Sequence, residues 1–176
     1  SAEGLSLGVH VLTLTATDSV GLSATTSISI EVNGLPTAPV ISIVPAAPGS
    51  GVDLVATIDT DSTDPDGDPV SYAHGWTQNG LSTTHTGDTV PAADTAKDDV
   101  WEVTVTPSDT LGTGPSATAS VTIGNGVPTV DSTGLTPTGP TTNETLTVTA
   151  TGSDPDGDPV ALTYEWFVDG LSTGQT

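Results

Sequence analysis

The chain has 176 residues, of which 22 are Asp or Glu and a single one, Lys97, is basic, for a formal charge of −21. Such a surface repels the phosphates of nucleic acid and of anionic lipid, and it attracts cations. The absence of Cys excludes disulfides and thiolate metal sites, while an apolar fraction of 34% that alternates with Thr and Ser predicts a folded chain. No apolar run is long enough to span a bilayer. No basic-then-apolar leader opens the sequence and it contains no Met, as expected of a processed chain or an internal fragment.

Period-two alternation marks strands in chain order: Val52, Leu54, Ala56 and Ile58; Val70, Tyr72, His74 and Trp76; Trp101, Val103 and Val105; Ala117, Ala119, Val121 and Ile123. Leu162, Tyr164, Trp166 and Val168 repeat the Tyr-x-Trp pattern near the far end. Clusters of Gly, Pro, Asp and Asn separate these runs, and no helical stripe interrupts them. The pattern predicts an all-β fold, with antiparallel sandwiches of roughly seven strands.

The same landmarks return at a fixed distance. DPDGDPV at 64–70 recurs letter for letter at 154–160, a spacing of 90. TATDSVG at 15–21 matches TPSDTLG at 106–112, so that Asp18 and Asp109 are 91 apart, and NGLPT at 33–37 returns as NGVPT at 125–129, 92 apart. GWTQNGLST at 75–83 answers EWFVDGLST at 165–173. A module of about 90 residues is therefore repeated. Its phase divides the chain into the closing half of one module at 1–34, a complete module at 35–126 and the opening half of another at 127–176. The tail 166–176 followed by the head 1–18 matches one continuous stretch of the complete module, so copies are expected to run head to tail, as a tandem polypeptide or as subunits whose halves complete each other.

DPDGD, Tyr-x-Trp, T-x-S/T-D-x-x-G and N-G-x-P-T, in this order within one period, resemble the bacterial immunoglobulin-like, cadherin-like and polycystic-kidney-disease-type modules strung along large surface proteins. The resemblance covers the whole chain. It implies tandem immunoglobulin-like β-sandwiches of about 90 residues in an extracellular or cell-surface protein. It also implies that Trp76 and Trp166 fill module cores.

In an immunoglobulin-like sandwich the loop between the second and third strands and the turn between the last two lie at the same end. That places Asp64, Asp66 and Asp68 with Asp109 at the junction with the preceding module, near Glu31 and Asn33. A second set combines Asp154, Asp156 and Asp158 with Asp18 of a neighbouring copy. Concentrated carboxylate and amide oxygens suit Ca²⁺, which takes oxygen ligands at about 2.3 to 2.6 Å. The competing expectation is a solvated tight turn, since Asp, Pro and Gly are also what turns favour. The stretch is not an EF-hand, because counting from Asp64 puts Pro69 at the sixth position and Gly75 at the twelfth. Asp59 and Asp61 have no carboxylate counterparts in the next copy and read as surface charge.

No enzyme is expected. Residues 4–8 spell G-x-S-x-G, but a nucleophile elbow joins a strand to a helix, and no helix is predicted. His10, His74 and His85 lack a repeated partner. Two function classes remain: a structural repeat of a fibre, stalk or filament, or an adhesin module that grips a surface glycan. The few aromatic residues sit mostly at core positions, which favours the structural class. An acidic surface also suits a high-salt habitat, and Asn143-Glu144-Thr145 matches a glycosylation sequon.

Overall fold

The structure, a computed structural model, describes residues 4–176; Ser1, Ala2 and Glu3, the start of the unit expected over 1–34, lie outside the described residues. The chain is all-β, with one short 3₁₀ turn at Ala92–Asp94. Two strands, β1 (Gly8–Thr17) and β2 (Ser23–Val32), form an antiparallel hairpin of their own. The central stretch carries β3 (Val40–Val44), β4 (Leu54–Thr60), β5 (Ser71–Gln78), β6 (Leu81–Ser82), β7 (Thr89–Val90), β8 (Val100–Ser108) and β9 (Ala117–Thr122). Beyond it lie β10 (Thr129–Thr136), paired with β11 (Thr147–Ser153), and β12 (Phe167–Val168), paired with β13 (Leu171–Ser172).

The seven central strands make two antiparallel sheets, ordered β3-β4-β7 and β6-β5-β8-β9, that enclose one core in sandwich fashion. Alternation puts Ile43, Leu54, Ala56 and Val90 on the inner face of the first sheet and Trp76, Trp101, Val103 and Val105 on that of the second, with Ile123 closing the end. Trp76 and Trp101 meet edge-on, ring centres 6.3 Å apart, an arrangement aromatic quadrupoles favour. The buried indole of Trp76 donates its N–H to the Gly87 carbonyl at 2.9 Å, so burial leaves no donor stranded there.

Outside the core, hydroxyls pair across the strands on the faces opposite the apolar residues. Thr13 bonds Ser27 at 2.9 Å, Ser42 bonds Thr57 at 2.8 Å, Thr106 bonds Ser116 at 2.7 Å and Ser132 bonds Thr151 at 2.7 Å. This is the Thr and Ser half of the alternation, and it contributes to sheet stability through cross-strand pairs.

Pairing register recurs with the sequence spacing. Ile41 faces Ile58 and Ile43 faces Ala56 in β3–β4, while 92 residues on Thr133 faces Ala150 and Leu135 faces Val148. The β8–β9 pair Val103 and Ala119 corresponds, 91 residues earlier, to Leu12 and Ile28 in β1–β2. There, however, the inward-type face is uncovered: Leu12 is 58% exposed and Ile28 65%.

One expected strand does not form. Residues 160–166 are not in a sheet, Trp166 is half-buried and Tyr164 is exposed, in contrast to Trp76 at 2% exposure. The physical reason is the missing partner. β5 is held along its whole length by β8, from Ser71 opposite Ser108 to Gln78 opposite Trp101, and among the described residues no strand lies beside 160–166. Alternation supplies a face to bury, but a strand also needs a neighbour for its backbone groups.

Candidate metal centre

The DPDGD loops close first on themselves. Asp64 Oδ1 accepts the Asp66 N–H at 2.8 Å and the Asp68 N–H at 3.2 Å, and its carbonyl accepts the Gly67 N–H at 3.2 Å. The second copy repeats this: Asp154 Oδ1 accepts from Asp156 at 2.8 Å and Asp158 at 3.3 Å, and its carbonyl from Gly157 at 3.1 Å. Gly67 and Gly157 sit at φ +84° and +76°, where other residues are strained. The first Asp is thus a turn residue, as turn chemistry expects.

The rest of the loop reaches outward to the linker. Gly34 N–H donates to Asp66 Oδ2 at 2.5 Å, and Gly126 N–H donates to Asp156 Oδ2 at 2.6 Å. The proline ahead of each of these carboxylates covers the same glycine: a Cβ on Gly34 would meet Pro65 at 3.0 Å, and one on Gly126 would meet Pro155 at 2.3 Å. The two repeated motifs, DPDGD and N-G-x-P-T, are therefore two halves of one contact. Space demands the glycine at 126 and favours it at 34, and an otherwise unpaired linker amide demands the second Asp.

At the first linker Asp64 lies beside Asp109, which binds the Asn33 amide, and Asp66 holds the neighbouring Gly34 amide, while Asp68 enters through its backbone N–H to Asp64. Asp109, in the β8–β9 turn, accepts the Leu111 and Gly112 N–H groups through Oδ1 at 2.7 and 2.5 Å and the Asn33 side-chain amide through Oδ2 at 3.0 Å. Asp64 lies against it. The Asn33 amide first, and then the Leu111 and Gly112 amides, hold the Asp109 carboxyl below the usual carboxylate range, against the opposing effect of desolvation. Two oxygens here, Asn33 Oδ1 and Asp64 Oδ2, are buried without a hydrogen-bond partner. Buried acceptors are ordinarily paired, and amide and carboxylate oxygens are the hard donors that calcium or a similar cation accepts.

The second linker is arranged differently. Asp154, Asp156 and Asp158 bring carboxylate oxygens within 4.8 Å of one another, the one such group of three among the described residues, and it can hold a metal ion. Asp64, Asp66 and Asp68 do not converge in this way. Asp156 is held below the usual range by the Ser50 hydroxyl beside it, the Gly126 amide and the positive charge of Lys97. That hydroxyl is close without being aligned for a hydrogen bond. Lys97 Nζ lies 3.5 Å from Asp158 Oδ2 and 2.6 Å from Asn125 Oδ1.

Asp18 closes a turn one residue wider than that of Asp109, accepting from Val20 at 2.9 Å and Leu22 at 2.8 Å, but its hydrogen bonds stay within the β1–β2 turn. Within one chain it joins neither carboxylate group. Asp59 and Asp61 bond locally, to Ser42 at 3.1 Å and to the Tyr72 hydroxyl at 3.4 Å. His85 packs on the Trp101 ring and pairs with Asp94 at 3.3 Å. Lys97 carries no periodic signal, so the alternation does not reveal it; the covering prolines lie inside the repeated DPDGD, and the repeat of Pro and Gly in both motifs is the available hint.

Among the described residues no helix is long and apolar enough to cross a membrane. No family model matches the chain, and no curated protein matches it.

Proposed function

We propose that the chain is a structural repeat of an extracellular fibre, stalk or filament: a tandem array of immunoglobulin-like sandwiches whose joints are stiffened by calcium. The observation that carries this is the contact made twice, Gly34 with Asp66 and Gly126 with Asp156, because it fastens a linker to the unit that follows it at both ends of the central unit. A loop serving a local turn alone has no need to hold the linker. Carboxylates crowded at such a joint repel one another, and a divalent cation offsets that repulsion while restricting the hinge. The buried oxygens of Asn33 and Asp64 and the convergence of Asp154, Asp156 and Asp158 support a cation at each joint.

Head-to-tail assembly is supported by two uncovered surfaces that correspond to the two halves of the central core. Leu12 and Leu14, 58% and 57% exposed, stand 91 residues before Val103 and Val105, which are fully buried over Trp76. An open cleft of about 420 Å³ lined by Leu135, Val148, Tyr164 and Trp166 stands where the central unit holds its packed core. One copy's β1–β2 face on the next copy's cleft rebuilds the sandwich and hides apolar surface from water. Binding of a glycan in this cleft, beside Tyr164, Glu165 and Trp166, is the second reading. It is less favoured because Trp166 stands 90 residues after the buried Trp76, so the cleft corresponds to core.

Sedimentation velocity over a concentration series tests the proposal. End-to-end oligomers are expected, longer in millimolar calcium than in chelator, and abolished by Leu12→Asp. A monomer at every concentration in both buffers refutes head-to-tail association; a monomer that binds an oligosaccharide on a glycan array favours the adhesin reading.

A further inference from the structure

We infer that Lys97 is the resident cation of the second linker, supplying there the positive charge that the first linker must take from solution; this rests on the proposed cation-stiffened joints. Lys97 is the single basic residue among 176, against 22 acidic ones. A solvated lysine could lie anywhere on so acidic a surface. This one lies in the turn ahead of β8 and spans three parts of the chain: its own turn, Asn125 of the linker at 2.6 Å and Asp158 of the following loop at 3.5 Å.

Comparison of the two linkers gives the ammonium its role. Asn33 and Asn125 are equivalent, 92 apart. Asn125 Oδ1 accepts from Lys97 Nζ, whereas Asn33 Oδ1 is buried with no partner. On the 91-residue spacing that aligns Asp109 with Asp18, the residue in the place of Lys97 ahead of the first linker is Ser6, which carries no charge. The same asparagine oxygen is therefore filled by a cation at one joint and left open at the other. The neighbouring Asp64 Oδ2 is open as well.

A divalent ion among Asp154, Asp156 and Asp158 would sit next to an ammonium already paired with Asp158. Like charges at such a distance disfavour each other, and the ion must also displace Lys97 from Asp158. Lys97 therefore weakens divalent binding at the second joint and keeps that joint partly neutralised when the ion is absent. The pair is half-exposed, so salt screens it, and its contribution to overall stability is small. Its effect is on the joint.

The test uses the full chain with the first joint silenced by Asp64→Asn, so that calcium heat in calorimetry reports the second cluster. Adding Lys97→Met is expected to tighten that binding about tenfold or more at low salt, and Asp158→Asn to remove the gain. Unchanged affinity with Lys97→Met overturns the inference. Absence of calcium binding by the wild-type chain and by Lys97→Met alike refutes the calcium reading of the joints, and the inference then stands or falls by small-angle scattering in chelator. There Lys97→Met should broaden the distribution of inter-unit distances, Asp158→Asn should do the same, and the double variant should add nothing. No broadening overturns it.

Discussion

Pro155 lies over Gly126 with no room for a side chain between them: a Cβ on Gly126 would stand 2.3 Å from Pro155 Cγ and 2.4 Å from Ser50 Oγ. At the first linker the corresponding approach, to Pro65, is 3.0 Å. Gly126→Ala must therefore push the loop off the linker, at a cost of roughly 1 to 3 kcal/mol typical of overpacking, while Gly34→Ala needs a shift of a few tenths of an ångström and costs less. Amide exchange at position 126 should accelerate in the first variant as its bond to Asp156 is lost. Equal protection at 34 and 126 in wild type and both variants contradicts this account of the contact.

The two repeated tryptophans should respond unequally to truncation. Trp76 is 2% exposed and bonded to Gly87, so Trp76→Ala leaves a cavity in the only packed core among the described residues and should cost roughly 3 to 5 kcal/mol. Trp166 is half-buried on an open cleft, and Trp166→Ala in monomeric protein should cost much less. Urea unfolding compares them; matching midpoints for the two variants would show that exposure here is a poor guide to packing.

Calcium should raise the thermal midpoint by mass action, since the oxygens of Asn33, Asp64 and Asp109 are brought together only in the folded chain. Calcium sites of extracellular modules bind with dissociation constants of about 10⁻⁴ to 10⁻³ M, so on the proposed reading several millimolar is the informative concentration. An identical midpoint in chelator and in calcium counts against a metal at either joint.

Acid should loosen the first linker. Asp109 is depressed from its ordinary value of 3.8 by the Asn33, Leu111 and Gly112 donors, so its folded form binds a proton less readily than the unfolded chain does. The resulting stabilisation is complete above the ordinary value and is lost as pH falls through the lower folded one. Asp109→Asn should flatten the stability profile below about pH 4 and leave its shape near neutrality unchanged. A variant whose acid limb matches the wild type's would remove Asp109 from this linkage.

Much of the molecule was legible in its letters, for physical reasons that also mark where legibility ends. The alternation of Trp101, Val103 and Val105 named the core because a sandwich strand buries every second residue. That Asp64 lies beside Asp109, and Asp109 on Asn33, agrees with which loops share an end of such a fold. The same alternation at Leu162, Tyr164 and Trp166 misled, because it describes a face and not the presence of a neighbouring strand. Asp64 serves its own turn through one oxygen while the other is buried at the joint without a hydrogen-bond partner, a division that spacing does not express. Lys97 was invisible as a site residue: one lysine has no pattern, and its importance comes from lying across a linker whose equivalent lacks it.

The hydroxyl pairs on the outer faces, such as Thr13 with Ser27 and Ser132 with Thr151, carry no charge, so neither salt nor moderate acid alters them. The electrolyte instead acts on charged contacts, and at the joints these gather Asp64, Asp109, Asp156 and Lys97. If the proposed tandem array is correct, a string of such units behaves as rods on adjustable pivots, its persistence length rising or falling with ionic composition.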